Sequence, residues 1–157
     1  MNRNPSSVKI SVASIVFSFV VALAYNGVVN ADDYFVSIKS KHDFNTTVTN
    51  IKKQTAANKL VLLKEYNVQM MLKMVGVNAE KSMTMAIFHP RYGKVIYAND
   101  KNAMSATPLR LIVQERGGDV IVAYIRPSAI FANFDLPKSM TDELDTLLGS
   151  VVKNATN

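Results

Sequence analysis

The sequence predicts an α+β fold with a mainly antiparallel sheet, and three observations support this prediction. Several short segments alternate apolar and polar residues, which is typical of half-buried strands. Two longer segments repeat apolar residues at helical spacing. The pair Gly117-Gly118 joins two strand-like segments with room only for a hairpin turn, so these two strands are antiparallel.

The first half of the chain predicts three strands separated by two helices. The strands are expected at residues 34–40, 60–66 and 82–88. Asp43 caps a helix that continues to about Ala57, and Asn67 opens a short second helix with Gly76 as its C-terminal cap.

The second half predicts a turn, a hairpin and a final helix. Pro90 and Gly93 mark a turn or a first helical turn, and a short apolar segment follows at residues 95–98. A strand that starts at Pro108 and a second strand at residues 119–125, apolar on both faces, form the hairpin, and Pro127 ends it. After Pro137, Ser139 and Asp142 resemble a capping box before an apolar stripe of Met140, Leu144, Leu147, Leu148, Val151 and Val152. We expect Leu111, Val113, Val122 and Leu147 to be almost fully buried.

Composition fits one globular domain. The chain has 157 residues, of which 48% are hydrophobic and 19% charged, and this length is sufficient for a core without covalent staples. With 0 Cys, the chain has no disulfide, thiolate metal site or thiol nucleophile.

The amino terminus predicts export. Arg3 and Lys9 precede an uncharged apolar stretch at residues 10–24, as in a secretory signal peptide. We predict cleavage after Ala31, with Ala24 as an alternative site and an uncleaved membrane anchor as the rival interpretation. The mature domain, residues 32–157, would then be periplasmic or secreted and would have no stable membrane span.

Two function classes are disfavoured. The net charge of +6 is scattered, without the dense basic face interleaved with aromatics that nucleic-acid binding uses, so we expect no nucleic-acid partner. No nucleophile elbow, dinucleotide fingerprint, P-loop or zinc-protease motif is present, which favours a protein without catalysis or cofactor.

The segment from Phe88 to Lys94 is the first candidate site. Pro90 fixes the backbone at a possible helix start, where free N–H groups attract an anion. His89 could donate to the same anion and would become charged near neutral pH. The alternative is a turn that binds nothing. We predict a ligand-binding set of His89, Arg91, Tyr92, Lys94 and Arg110.

Two further interpretations stay open. Met70, Met74, Met83, Met85 and His89 could hold Cu(I), since thioethers suit this soft ion, although methionine at helical spacing is usually core filler. A set of basic side chains is expected to share one sheet face, as a solvated surface or as a contact for an acidic partner: Lys39, Lys64, Arg110 and Arg116.

Several motifs, in their order along the chain, resemble the family called domain of unknown function 302. They are Ser37–Ser40, Asp43-Phe44, Thr47-Val48, Val61–Glu65, Met71-Leu72, Val75–Val77, Ile87–Pro90, Pro108–Arg110, Ile112-Val113 and Val122–Pro127.

The resemblance implies a compact fold similar to the TATA-binding-protein class, β-α-β4-α, with helices on one face of a curved sheet, and it does not imply DNA binding. Many relatives have a Phe-Gly-Asn-Pro turn where this chain has Phe88-His89-Pro90, and some carry cysteine near it. A thiol role in those members therefore does not transfer to this chain. Together, these observations predict an exported protein that binds a small anionic ligand or a partner protein.

Overall fold

A computed structural model describes residues 34–157, which form five strands and five α-helices. The strands are β1 (Phe35–Lys39), β2 (Val61–Asn67), β3 (Ser82–Phe88), β4 (Leu109–Arg116) and β5 (Asp119–Ile125). The α-helices are α1 (Phe44–Ala57), α2 (Val68–Met74), α3 (Pro90–Asn99), α4 (Pro127–Ile130) and α5 (Lys138–Thr156), and a 3-10 helix covers Lys101–Ala106.

All five strands form one antiparallel sheet in the order β1-β5-β4-β3-β2. β4 and β5 are joined at Gly117 and Gly118, which have φ values of 58° and 90°. Two successive positive φ angles fit the tight hairpin turn that the glycine pair predicts. β5 lies inside the sheet, as its two apolar faces predict, and β2 is an edge strand.

The long helices α1 and α5 cover one face of the sheet. Leu111, Val113 and Val122 point to this face, and each is at most 1% exposed. They join Ile51 of α1 and Val151 of α5 in a single hydrophobic core. The fold class predicted from the sequence, α+β with helices on one face of a mainly antiparallel sheet, is confirmed.

The helix caps are partly as predicted. The Asp43 carboxylate accepts a hydrogen bond from the Thr46 N–H at 3.0 Å, and Asn67 caps α2 in the same way. The capping box at Ser139 is wrong: α5 begins at Lys138 after Pro137, with no side-chain cap. Asp142 instead pairs with Lys138 one turn away, at 2.7 Å.

Pro90 begins the ten-residue helix α3, so the first helical turn, one of the two alternatives at Pro90 and Gly93, is the one observed. The apolar segment at residues 95–98 lies within the same helix. One burial prediction is wrong. Leu147 is only half-buried, because its neighbour Leu148, at 2% exposure, occupies the core position of the final helix.

The second face of the sheet carries the alternate strand residues. Glu65 points toward α1, where it pairs with Lys52 at 2.8 Å, so the preceding Lys64 points to the opposite face. Arg110 and Tyr66 lie on that opposite face and are exposed. We refer to this surface as the open face.

The predicted signal peptide at residues 1–31 lies outside the described residues, as do its alternative cleavage site and the rival anchor. Within residues 34–157, no helix combines the length and apolarity required to cross a bilayer.

Candidate binding site

The segment after β3 is a capped helix start. His89 is the N-cap of α3, and its Nδ1 accepts a hydrogen bond from the Arg91 N–H at 3.2 Å. The Gly93 N–H donates to the His89 carbonyl at 2.9 Å, and Pro90 has no N–H. Of the N–H groups of Arg91, Tyr92 and Gly93 at this helix start, those of Arg91 and Gly93 are therefore bonded within the chain, and the third belongs to the buried residue Tyr92.

A carboxylate from α5 contacts two side chains of this segment. The Arg91 guanidinium lies 3.2 Å from Oε2 of Glu143, and the Tyr92 hydroxyl donates to the same oxygen at 2.9 Å. The Arg91 guanidinium also lies 5.1 Å from the centre of the Tyr92 ring. Arg91 thus already has an anionic partner in the protein.

The pKa values of the two titratable rings in this segment are shifted so that the neutral form of each is favoured. Burial lowers the pKa of His89 below its ordinary 6.5, and the positive charge of Arg91 adds to this effect. Burial raises the pKa of Tyr92, and its hydrogen bond to Glu143 adds to this increase. His89 is therefore a neutral capping group near neutral pH rather than a cationic donor.

The cavity beneath α3 is small and apolar. It has a volume of about 20 Å³ and is lined mainly by hydrophobic side chains, among them Ile87, Leu109, Phe131 and Leu144. A volume of this size holds one water molecule at most. The cavity therefore has no space for an organic ligand.

The predicted ligand-binding set is divided by the structure. His89, Arg91 and Tyr92 lie together, and Lys94 is exposed further along α3. Arg110 pairs in register with Ala86 of β3 and projects from the open face, away from the core face to which Ile87 points. Arg110 therefore belongs to a different surface from the other four residues.

Arg110 has a cationic neighbour on the open face. Ala86 pairs with Lys64 on one side and with Arg110 on the other, so the two cations flank one alanine. Their Cα atoms are two strand spacings apart, roughly 10 Å. Both side chains are exposed, and neither forms an ion pair within the part of the chain that the structure describes.

Two hydroxyl-bearing residues lie beside this pair. Thr84 and Tyr66 are paired in the adjacent row of the open face, each two residues from Ala86 or Lys64 along its strand. Lys64, Thr84, Tyr66 and Arg110 thus surround the buried Ala86, which is 2% exposed. We call these five residues the Ala86 cluster.

The other two basic residues of the predicted set have different neighbours on the open face. Lys39 pairs with Asp119 at 2.7 Å. Arg116 contacts the side-chain amide of Gln114. The predicted basic face is therefore present: Lys39 is paired with a carboxylate, Arg116 contacts only a neutral amide, and Lys64 and Arg110 are the two cations that flank Ala86.

The predicted copper ligands do not converge. Met85 is fully buried in the core, and Met70 and Met74 are exposed on α2. His89 is six residues beyond Met83 along β3, about 20 Å at the usual rise of a strand. The structure does not bring these five residues to one point, and residues 34–157 contain no cluster of three His, Cys, Asp or Glu suited to a metal ion.

Glu143 is the contact that sequence reasoning missed. It lies 52 residues after Arg91 in the chain, and no local motif connects the two residues. The sequence predicts only in part that Lys64 and Arg110 flank the same residue. Alternation assigns each residue to a face of the sheet, but it does not give the order of the strands.

The comparisons with known proteins agree on the family. The fold is similar to the crystal structure of an uncharacterized conserved DUF302 protein from Bacillus stearothermophilus, with a TM-score of 0.73 and 12% identity over 77% of this chain and 97% of that chain. No curated protein matches the sequence. The model of the family described as "Domain of unknown function DUF302" matches residues 36–155. The chain therefore belongs to the DUF302 family.

Proposed function

We propose that this protein is a non-catalytic binding protein that holds a small anion at the Ala86 cluster. The observation that carries the proposal is the pair of unpaired cations, Lys64 and Arg110, on either side of one buried alanine. Two cations that share no carboxylate repel one another, and an anion between them relieves this repulsion.

The chemistry of the cluster suits a phosphate or a carboxylate. Arg110 presents a planar guanidinium that can donate two parallel hydrogen bonds, and Lys64 adds a second positive charge. The Thr84 and Tyr66 hydroxyls can donate to the remaining oxygens. Ala86 has only a methyl side chain, so it places no long side chain of its own between Lys64 and Arg110.

The segment from His89 to Lys94 supports this function less well. Glu143 neutralises Arg91, and His89 caps the helix, as described above. The Ala86 cluster has neither obstacle. In this proposal the protein acts after export, for which the support is the apolar segment at residues 10–24 with its basic start.

Calorimetric titration with inorganic phosphate and with succinate tests the proposal. We expect millimolar or tighter binding of at least one of them, which weakens as salt shortens the screening length from about 10 Å at 0.1 M to about 3 Å at 1 M. Arg110→Gln and Lys64→Gln should each reduce the affinity.

Lys39→Gln is the matched control, because Lys39 is on the same face but already pairs with Asp119. The control should bind as the wild type does. The proposal fails if the wild type binds neither anion at millimolar concentration, or if Arg110→Gln binds equally well.

A further inference from the structure

The solvent-facing side of α2 carries three methionines beside one lysine, Lys73. Met70, Met71 and Met74 are 57%, 50% and 75% exposed. At 100° per residue, Met74 lies between the other two within one arc of about 100°. The opposite arc holds the half-buried Val68, Gln69 and Leu72. The exposed Lys73 lies next to Met70, so thioethers make up most of the outer face, where a surface helix usually has polar side chains.

The helix that carries these side chains is fixed at both ends. Asn67 caps it by accepting from the Met70 N–H at 2.9 Å. At the other end, the Val77 N–H donates to the Leu72 carbonyl and the Gly76 N–H to the Lys73 carbonyl, with Gly76 at a φ of 83°. This is the Schellman arrangement. Gln69 also donates to the Ala79 carbonyl at 3.0 Å. These hydrogen bonds fix the orientation of α2, so its three methionines face solvent.

Core packing accounts for other methionines of the chain but not for these three. Met85 and Met140 are at most 5% exposed and lie in the hydrophobic core. Exposed methionine on α2 adds nothing to the core and places apolar surface in water. Core packing therefore does not explain why methionine stands at these three positions.

We propose that Met70, Met71 and Met74 form a thioether site for Cu(I). Side chains three and four residues apart on a helix have Cβ atoms about 5–6 Å apart, and methionine is long and flexible enough for three sulfurs to reach one ion. Thioether sulfur selects the soft Cu(I) ion. α2 has no carboxylate, so harder divalent ions that require oxygen ligands are disfavoured.

This site is independent of the Ala86 cluster and excludes three of the five copper ligands expected from the sequence. Met83, Met85 and His89 are replaced by Met71, which lies on the same arc as Met70 and Met74. The competing explanation is an apolar docking surface, since Val75 and Val77 beside α2 are also exposed. Substitution by leucine separates the two, because leucine keeps the apolar surface and removes the sulfur.

The first test is anaerobic competition for Cu(I) against the chromophoric chelator bicinchoninate. We expect the wild type to withdraw Cu(I) from the chelator. The triple variant Met70→Leu, Met71→Leu, Met74→Leu should lose affinity by about tenfold or more. Met104→Leu, a half-buried methionine of the 3-10 helix, is the matched control and should bind as the wild type does.

The second test follows the methionine methyl groups by NMR during titration with Ag(I), a redox-inert soft ion. The resonances of Met70, Met71 and Met74 should shift together, and those of Met85 and Met140 should not. Equal competition by the wild type and the triple variant overturns the site, and so does a titration in which the three methyl resonances stay in place. Circular dichroism of the triple variant verifies that the fold is intact.

Discussion

The aromatic ring of Phe88 lies against the α-carbon of Gly93. A β-carbon at residue 93 would overlap this ring, approaching Cε2 to 2.8 Å and Cζ more closely still. Phe88 ends β3 and Gly93 lies in the first half of α3, so the contact joins the strand to the helix that follows it. Glycine is therefore needed at residue 93 because the Phe88 ring leaves no space for a β-carbon, and not because of turn geometry.

We predict that Gly93→Ala destabilises the protein. The added methyl group must displace the Phe88 ring, and overpacking of this kind costs about 1–3 kcal/mol. This cost exceeds the gain of roughly 0.5–1 kcal/mol that alanine brings to a helix interior. Urea unfolding of both proteins measures the difference.

Gly149→Ala is the control for this prediction. Gly149 lies inside α5, and a β-carbon there meets only the Tyr124 hydroxyl at 3.5 Å, an ordinary contact. We expect this variant to be more stable than the wild type by up to about 1 kcal/mol. If both alanine variants are equally stabilised, the Phe88 ring is free to move and the contact does not restrict residue 93.

A second prediction compares two leucines that the sequence places in the core. Leu111 is 1% exposed in the central strand β4, whereas Leu147 is only half-buried on α5. Leu111→Ala should cost about 2–5 kcal/mol, since it removes buried methyl groups and leaves a cavity. Leu147→Ala should cost clearly less, and equal losses of unfolding free energy in denaturant titrations would contradict the burial difference.

The sequence was sufficient for the features that depend on local chemistry. Alternating residues indicated the strands, and the caps at Asp43, Asn67 and Gly76 and the hairpin at Gly117-Gly118 follow from backbone preferences of a few neighbouring residues. The burial of Leu111, Val113 and Val122 followed from the same alternation.

Features that depend on distant residues were not accessible. Pro90 and Gly93 fit a turn and a helix start equally well. Only the contact with the Phe88 ring shows why a glycine lies inside this helix. The pairing of Arg91 with Glu143 requires α5 to lie against α3. For α2, helical spacing suits a core stripe and an exposed stripe equally well, so only the structure shows that its methionines face solvent.

A third prediction concerns pH and His89. Its pKa is lowered in the folded protein because burial and the charge of Arg91 disfavour the protonated ring. As the pH falls through the ordinary value of 6.5, the unfolded chain takes up a proton before the folded protein does, so the free energy of unfolding decreases. The stability that His89 contributes is present above this value and is lost below it.

His89→Asn tests this prediction, because asparagine also caps a helix but does not titrate. Denaturant unfolding should be measured between pH 7.5 and 5, a range that contains the ordinary midpoint of histidine titration at roughly 6.5. The free energy of unfolding should decrease across this range in the wild type, and it should decrease less in the variant. The pKa of Asp43 is also lowered, by its hydrogen bonds to Thr46, but from an ordinary value of 3.8, so its effect falls at lower pH. An identical decline in both proteins would show that His89 is not the group responsible.

The last prediction concerns the carboxylate of Glu143, which the structure places against Arg91 and Tyr92. In the wild type this carboxylate repels a second anion and satisfies the Arg91 guanidinium at 3.2 Å. Glu143→Gln removes the negative charge while its amide oxygen can still accept from Tyr92. The pair itself is exposed, so its loss should change the free energy of unfolding by no more than about 1 kcal/mol.

Titration with inorganic phosphate, followed by NMR at the Arg91 side-chain N–H and the Tyr92 backbone N–H, should therefore produce shifts in the variant that the wild type does not show. Shifts of equal size in the wild type would mean that the start of α3 binds an anion despite Glu143, and the predicted set of His89, Arg91, Tyr92 and Lys94 would then have a ligand of its own.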